Sequence, residues 1–166
     1  MAETAAFILT REWHDARPGA TQAARGGDVV LWCSSPQGPV RVRITGVQPV
    51  CFIERTVQLP ADASARVARR KPLDLLTPSG AAVDGLYFRS LRDQQELRRA
   101  ARDSGVRIFE SDIRPAERYL MERFIHAGIT VEGFASTASG VRTFENPVLR
   151  AAELEPTLTT AALDIE

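Results

Sequence analysis

The chain has 166 residues, 44% of them apolar, enough for one ordinary core or two small packed lobes. Lys plus Arg and Asp plus Glu each number 21, so the formal net charge is zero and any contact with a polyanion must be local. No apolar run approaches a membrane span, and Glu3 stands where a targeting segment carries basic residues, so the expected compartment is the cytoplasm.

The first third reads as strands. Ala6-Phe7-Ile8-Leu9-Thr10 and Val29-Val30-Leu31-Trp32-Cys33 are short apolar runs, and Val40-Arg41-Val42-Arg43-Ile44 alternates with the period of a half-buried strand. The turn composition of Ser34 to Pro39 makes an antiparallel hairpin the natural pairing of the last two. Arg41 and Arg43 then face outward, where they can meet phosphate or simply solvent. Ala20 to Gly27 is a loop of small residues with the look of a local insertion, and Val50-Cys51-Phe52-Ile53 is the next strand.

A short helix is expected over Ala63 to Arg70, with Arg69, Arg70 and Lys71 as a basic cluster stopped by Pro72. Such a cluster suits a polyanion, and equally the solvated negative end of a helix dipole. Gly85-Leu86-Tyr87-Phe88 reads as a strand. Leu91 to Ser104 reads as an amphipathic helix with Leu91, Leu97 and Ala101 inward and Gly105 as its cap. Its outer arginines, Arg98, Arg99 and Arg102, are diluted by Asp93, Glu96 and Asp103. Val106-Arg107-Ile108-Phe109 returns as a strand, giving half of a ferredoxin-like unit.

Asp112 lies near the start of a further helix, Pro115 suits its first turn, and Gly128 is its expected end. Within it Leu120 and Phe124 share a face with Tyr119 beside them, and Arg118 and Glu122 form an ion pair at helical spacing. Ile129 to Glu132, Val141 to Phe144 and Leu158 to Glu166 are the remaining strand candidates, with a turn over Ser136 to Gly140 and a linker between Asn146-Pro147 and Glu155-Pro156.

Cys33 and Cys51 sit in apolar runs outside any C-x-x-C pair and read as small buried hydrophobes in a reducing compartment. His14 and His126 lack ligand spacing, which argues against structural zinc. The chain ends on Leu163-Asp164-Ile165-Glu166. On a strand both carboxylates face one way and can share divalent cations that activate water for phosphodiester cleavage. A frayed acidic tail has the same sequence. The partners of such a pair are not in the sequence, which suggests a piece of a larger enzyme.

Asp112-Ile113-Arg114-Pro115-Ala116-Glu117-Arg118-Tyr119-Leu120-Met121-Glu122-Arg123-Phe124 follows Arg107-Ile108-Phe109-Glu110 and precedes Val131-Glu132-Gly133. Together these residues resemble the segment before the exonuclease domain in family B DNA polymerases, the bacterial branch above all. Ala6 to Arg11 with Trp13, Val50 to Ile53, and Asp84 to Arg89 match in the same order, so the resemblance spans nearly the whole chain. It implies a polymerase N-terminal domain over residues 1–149, and a linker and first strand of a truncated 3′–5′ exonuclease domain over 150–166. The expected fold is α+β, with an antiparallel strand-rich lobe over about 1–57 followed by a ferredoxin-like, RNA-recognition-like lobe over about 83–145.

Several roles follow from the resemblance. Asp164 and Glu166 match the first exonuclease motif and would hold Mg2+ in the intact enzyme only, with no cofactor expected for this chain alone. The later exonuclease carboxylates and the polymerase motifs are missing, so this chain should neither polymerise nor degrade DNA. Its partners would be the remaining polymerase domains and, weakly, single-stranded template DNA, with no membrane. Arg118, Tyr119 and Arg114 are the candidate template contacts, since aromatic platforms beside cations suit single strands. Equally, Arg118 can pair with Glu122 while Tyr119 lies in the core. Archaeal relatives detect uracil in a pocket here, but Arg114-Pro115 replaces their Pro-Phe, and that sensing is not carried over. Two other classes fit the composition: a stand-alone single-strand-binding module of RNA-recognition type, which should expose aromatics on its sheet, and a protein-interaction domain.

Overall fold

The computed structural model describes residues 2–16, 26–156, 158, 161, 162 and 164. Strand β1 (Ala2–Asp15) is much longer than its apolar run because it serves two neighbours in turn. Ala2 to Phe7 pair with β7 (Gly128–Gly133), whereas Phe7 to Asp15 pair with β2 (Gly27–Ser34), both antiparallel. The register slips between Ile8 and Thr10, and a bulge at this handover bends the strand and curls the sheet.

β2 and β3 (Val40–Val47) form the expected hairpin, with Cys33 opposite Val40 and the Gly38 N–H donating to the Ser35 carbonyl at 3.0 Å. The C-terminal strands then return to this sheet. β9 (Val141–Glu145) runs parallel to β3, β8 (Ala135–Ala138) pairs with β9, and β10 (Val148–Ala151) pairs with β7. The seven strands stand in the order β10-β7-β1-β2-β3-β9-β8. β8 replaces most of the turn expected over Ser136 to Gly140. Only Ser139 and Gly140 turn, both with positive φ (50° and 77°), the pattern of a tight two-residue hairpin.

The alternating residues Val29, Leu31, Val40, Val42, Ile129, Val131 and Phe144 fill the concave side of this sheet. Helix α3 (Pro115–Met121) closes that core with Ala116, Tyr119 and Leu120. The helix stops about two turns short of the expected Gly128. The Phe124 N–H donates to the Met121 carbonyl and the Ile125 N–H to the Leu120 carbonyl, both at 3.0 Å, around a left-handed Phe124 (φ 53°). This is a Schellman-type close, and it frees Gly128 to open β7. Gly128 is required there, because a Cβ would meet the Ala152 carbonyl oxygen at 2.2 Å.

The second sheet is built from one continuous stretch. β4 (Val50–Glu54), β6 (Ala82–Tyr87) and β5 (Arg69–Leu76) are antiparallel in the order β4-β6-β5, and Phe109 bridges to Phe52 on the free side of β4. Helices α1 (Ala61–Ser64) and α2 (Leu91–Asp103) cover one face, where Ala63 and Leu97 join Cys51, Ile53, Leu86 and Phe88 in one core. Strand, helix, strand, strand, helix and bridging strand in this order make the ferredoxin-like arrangement. It runs from Val50 to Phe109, not over 83–145, and the large sheet takes strands from both ends of the chain. The difference arises because the apolar side of β7 pairs with β1, more than a hundred residues earlier, a long-range choice that local pattern does not encode.

Other expectations shift as well. The helix expected over Ala63 to Arg70 ends at Ser64, and Arg69-Arg70-Lys71-Pro72 belongs to the edge strand β5, where proline is tolerated. The strand Val106 to Phe109 reduces to the single bridge at Phe109. Leu158, Ala161, Ala162 and Asp164 lie in no strand, and the rest of that expected element, like Ala20 to Arg25, falls outside the described residues.

Candidate nucleic-acid interface

A cleft of about 400 Å³ separates the two sheets. Gln48, Val50 and Tyr87 line one side, while α3 and the turn after it supply Arg118, Glu122 and Arg123 to the other. Pro115 at the first helical position and the close at Phe124 fix the length of α3, and thereby which of its residues reach the cleft.

Arg118 is not free to meet a ligand. Its side chain is 11% exposed, its Nη2 bonds the Glu110 carboxylate, its Nη1 lies 3.7 Å from Glu122, and its guanidinium lies 4.9 Å from the Phe52 ring centre. The pairing with Glu122 expected from helical spacing is present but secondary. Glu110, in a left-handed turn (φ 55°) eight residues earlier, is the closer partner, and no local spacing rule points to it.

Tyr119 is buried in the main core, and burial raises its phenol pKa against the opposing charge and hydrogen bond of Arg123. The Arg123 guanidinium lies 3.7 Å from that ring centre and donates to the Tyr119 carbonyl at 3.0 Å. Arg123 is thus the half-exposed cation of the cleft, and sequence reading passed over it.

Arg114 faces elsewhere. It is exposed just before α3 and lines a second cleft of about 580 Å³ with Trp13, His14 and Leu91, beside the Arg11–Glu117 ion pair at 3.4 Å. Arg114 and Arg118 are therefore not brought to one site. Arg43 is held by Asp28 at 2.8 Å and by Glu145 at 3.7 Å, whereas Arg41 lies 5.7 Å from the Trp32 ring centre. Arg98, Arg99 and Arg102 stand exposed on α2.

At the end of the chain Asp164 is exposed and Glu166 lies outside the described residues. Among the described residues no three His, Cys, Asp or Glu side chains converge into a cation site. Two carboxylates are at most part of the donor set of a two-metal centre. The residues present do not by themselves fit Mg2+. No helix among the described residues is long and apolar enough to cross a membrane.

No protein-family model matches the chain. Its fold matches the family B DNA polymerase of the archaeon Pyrobaculum calidifontis with a TM-score of 0.69 and 16% identity, over 93% of this chain and 21% of that one. Sequence points the same way: the chain is homologous to the N-terminal region of family B DNA polymerases. The similarity is to DNA polymerase II of Escherichia coli K12, with 34% identity over 173 aligned positions that cover 98% of this chain. The chain spans 20% of the length of that relative.

Proposed function

We propose that this chain is the N-terminal domain of a DNA polymerase II-like enzyme, where it supports the 3′–5′ exonuclease domain and lines the path of single-stranded template. The observation that carries the reading is the identity to DNA polymerase II along almost the whole chain. The cleft between the sheets offers the geometry. It is open to solvent and presents the Arg123 cation, stacked on Tyr119, against Gln48 and Tyr87. A guanidinium stacked on a ring keeps its in-plane donors for phosphate.

In this reading the parent enzyme works in repair synthesis in the cytoplasm. Asp164 and Glu166 stand at the first exonuclease motif and hold Mg2+ together with carboxylates from outside this chain. The chain alone neither polymerises nor degrades DNA, since two carboxylates cannot complete that centre. A second reading, a single-strand-binding module of RNA-recognition type, draws on the ferredoxin-like strand order from Val50 to Phe109 and takes the same class of ligand.

Fluorescence anisotropy of labelled single-stranded DNA, titrated with the chain at low and at moderate salt, tests the template contact. Saturable binding that weakens with salt is expected. No binding at low salt would remove the template role and leave support of the neighbouring domain, which co-purification with the separately expressed remainder of the polymerase would then test.

A further inference from the structure

The face of the three-stranded sheet opposite α1 and α2 gives Val50 and Tyr87 to the cleft and carries a further arrangement beyond it. Phe109 stands opposite Phe52 through hydrogen bonds of 3.0 and 2.8 Å in both directions, and Phe52, Gly85 and Lys71 follow in register across β4, β6 and β5. Two residues along, Val50, Tyr87 and Arg69 form the next row on the same face. Alternation puts Arg107 on this face too, since Ile108 packs into the helix-covered core.

Two of the aromatic rings here carry a solvent-exposed guanidinium. Arg69 lies 4.4 Å from the Tyr87 ring centre and Arg107 lies 4.8 Å from that of Phe109. Both arginines and Lys71 are exposed, and among the described residues none forms an ion pair with a carboxylate. In contrast Arg70, one residue from Arg69 but on the helix-covered face, is held by Asp84 at 2.8 Å. In a chain of zero net charge, three un-neutralised cations on one sheet face form a local positive strip. Stacking holds each guanidinium flat, so less side-chain entropy is lost when its remaining N–H groups meet an anion.

We infer that this sheet face is a track for the phosphodiester backbone of single-stranded DNA, held by Arg107, Lys71 and Arg69, that leads outward from the cleft beside α3, with which it shares Val50 and Tyr87. The row from Phe109 to Lys71 crosses four strand positions, about 14 Å at the usual strand spacing, which is long enough for several phosphates. The rings act as supports for the cations rather than as stacking platforms for bases, because an arginine already covers each of them. Binding along the track is therefore indifferent to sequence. This inference rests on the single-strand reading above and extends its surface beyond the cleft.

The test is anisotropy of a labelled oligo-dT with three proteins: the native chain, the variant Arg69→Gln/Lys71→Gln/Arg107→Gln, and Arg150→Gln, at an exposed arginine of β10. Tryptophan fluorescence and thermal unfolding check that each remains folded, and Arg69→Glu/Lys71→Glu gives a second track variant should the triple variant unfold. The expected result is a loss of about tenfold or more in affinity for the track variants, with a salt slope shallower by about 2 in the triple variant, as three lost phosphate contacts predict. Arg150→Gln should bind the oligomer nearly as the native chain does. Track variants that bind like the native chain overturn the track and leave the template reading to the cleft. A native chain that binds nothing at low salt overturns both.

Discussion

Arg118 of α3 lies with its guanidinium 4.9 Å from the ring centre of Phe52, although α3 packs on the seven-stranded sheet and Phe52 belongs to the three-stranded one. With Glu110 as its ion-pair partner, it fastens the two sheets at the floor of the cleft. Arg118→Ala should destabilise the chain by about 2 kcal/mol, since a largely buried charged hydrogen bond and its packing are lost together. Arg118→Lys should fall between, because ammonium keeps the charge but not the planar stack. Urea unfolding followed by tryptophan fluorescence measures both. An Arg118→Ala chain of native stability that has lost DNA affinity would make Arg118 a template contact after all.

Asp84 is a second fastening point, inside the three-stranded sheet. It is 5% exposed and accepts from Arg70 Nε at 2.8 Å and Arg55 Nε at 2.9 Å. Burial acts to raise its pKa, but the two hydrogen bonds and charges from Arg70 and Arg55 outweigh it and hold the carboxyl below its ordinary value. A depressed folded pKa means stability that is present above the unfolded value, about 3.9, and is lost as pH falls through the folded one. Native unfolding free energy should therefore drop as pH is lowered below about 4. Asp84→Asn should cost about 2 kcal/mol at pH 7 and lack this part of the acid slope. Urea titrations of both proteins across that range provide the comparison.

What the sequence disclosed followed the range of the interaction. The alternation of Val40 to Ile44 and the turn residues after Ser34 were enough for the first hairpin, because its contacts are local. The same alternation could not show that Val42 stands beside Phe144 in a parallel pair a hundred residues away. Arg69, Arg70 and Lys71 looked like a helix end, yet the strand places Arg70 on Asp84 and leaves its two neighbours on the opposite face. The Arg118 and Tyr119 stretch was readable as a helix and as a family resemblance. The core position of Tyr119 was among the readings, but the main partners of Arg118 were not, because Phe52 reaches it from the other sheet and Glu110 from the turn after Phe109.

Cys33 and Cys51 should be inert in the folded chain. Burial pushes both thiols up to about 12, with Arg118 opposing it slightly at Cys51, so almost no thiolate exists near neutral pH. Both are fully enclosed by core residues, which also denies a reagent access. A disulfide-exchange reagent at pH 8 should find no fast-reacting thiol in the native chain and both thiols in urea. Fast labelling of one cysteine without denaturant would mean that its sheet opens locally.

Phe124 closes α3 in a conformation that a side chain other than glycine enters at a cost. Its φ is 53°, and its ring is 82% exposed, so little packing compensates for the contact between Cβ and the backbone. Phe124→Gly should raise stability by about 1 kcal/mol, a gain of roughly 3 °C in melting temperature for a chain of this length. Phe124→Ala separates the causes, since it removes the ring but keeps the Cβ and should gain almost nothing. The comparison also bears on the cleft, because the close at Phe124 sets where Arg123 stands against Tyr119. If Phe124→Gly is less stable than the native chain, the ring makes a contact that its exposure conceals. Thermal unfolding of the three proteins decides between these outcomes.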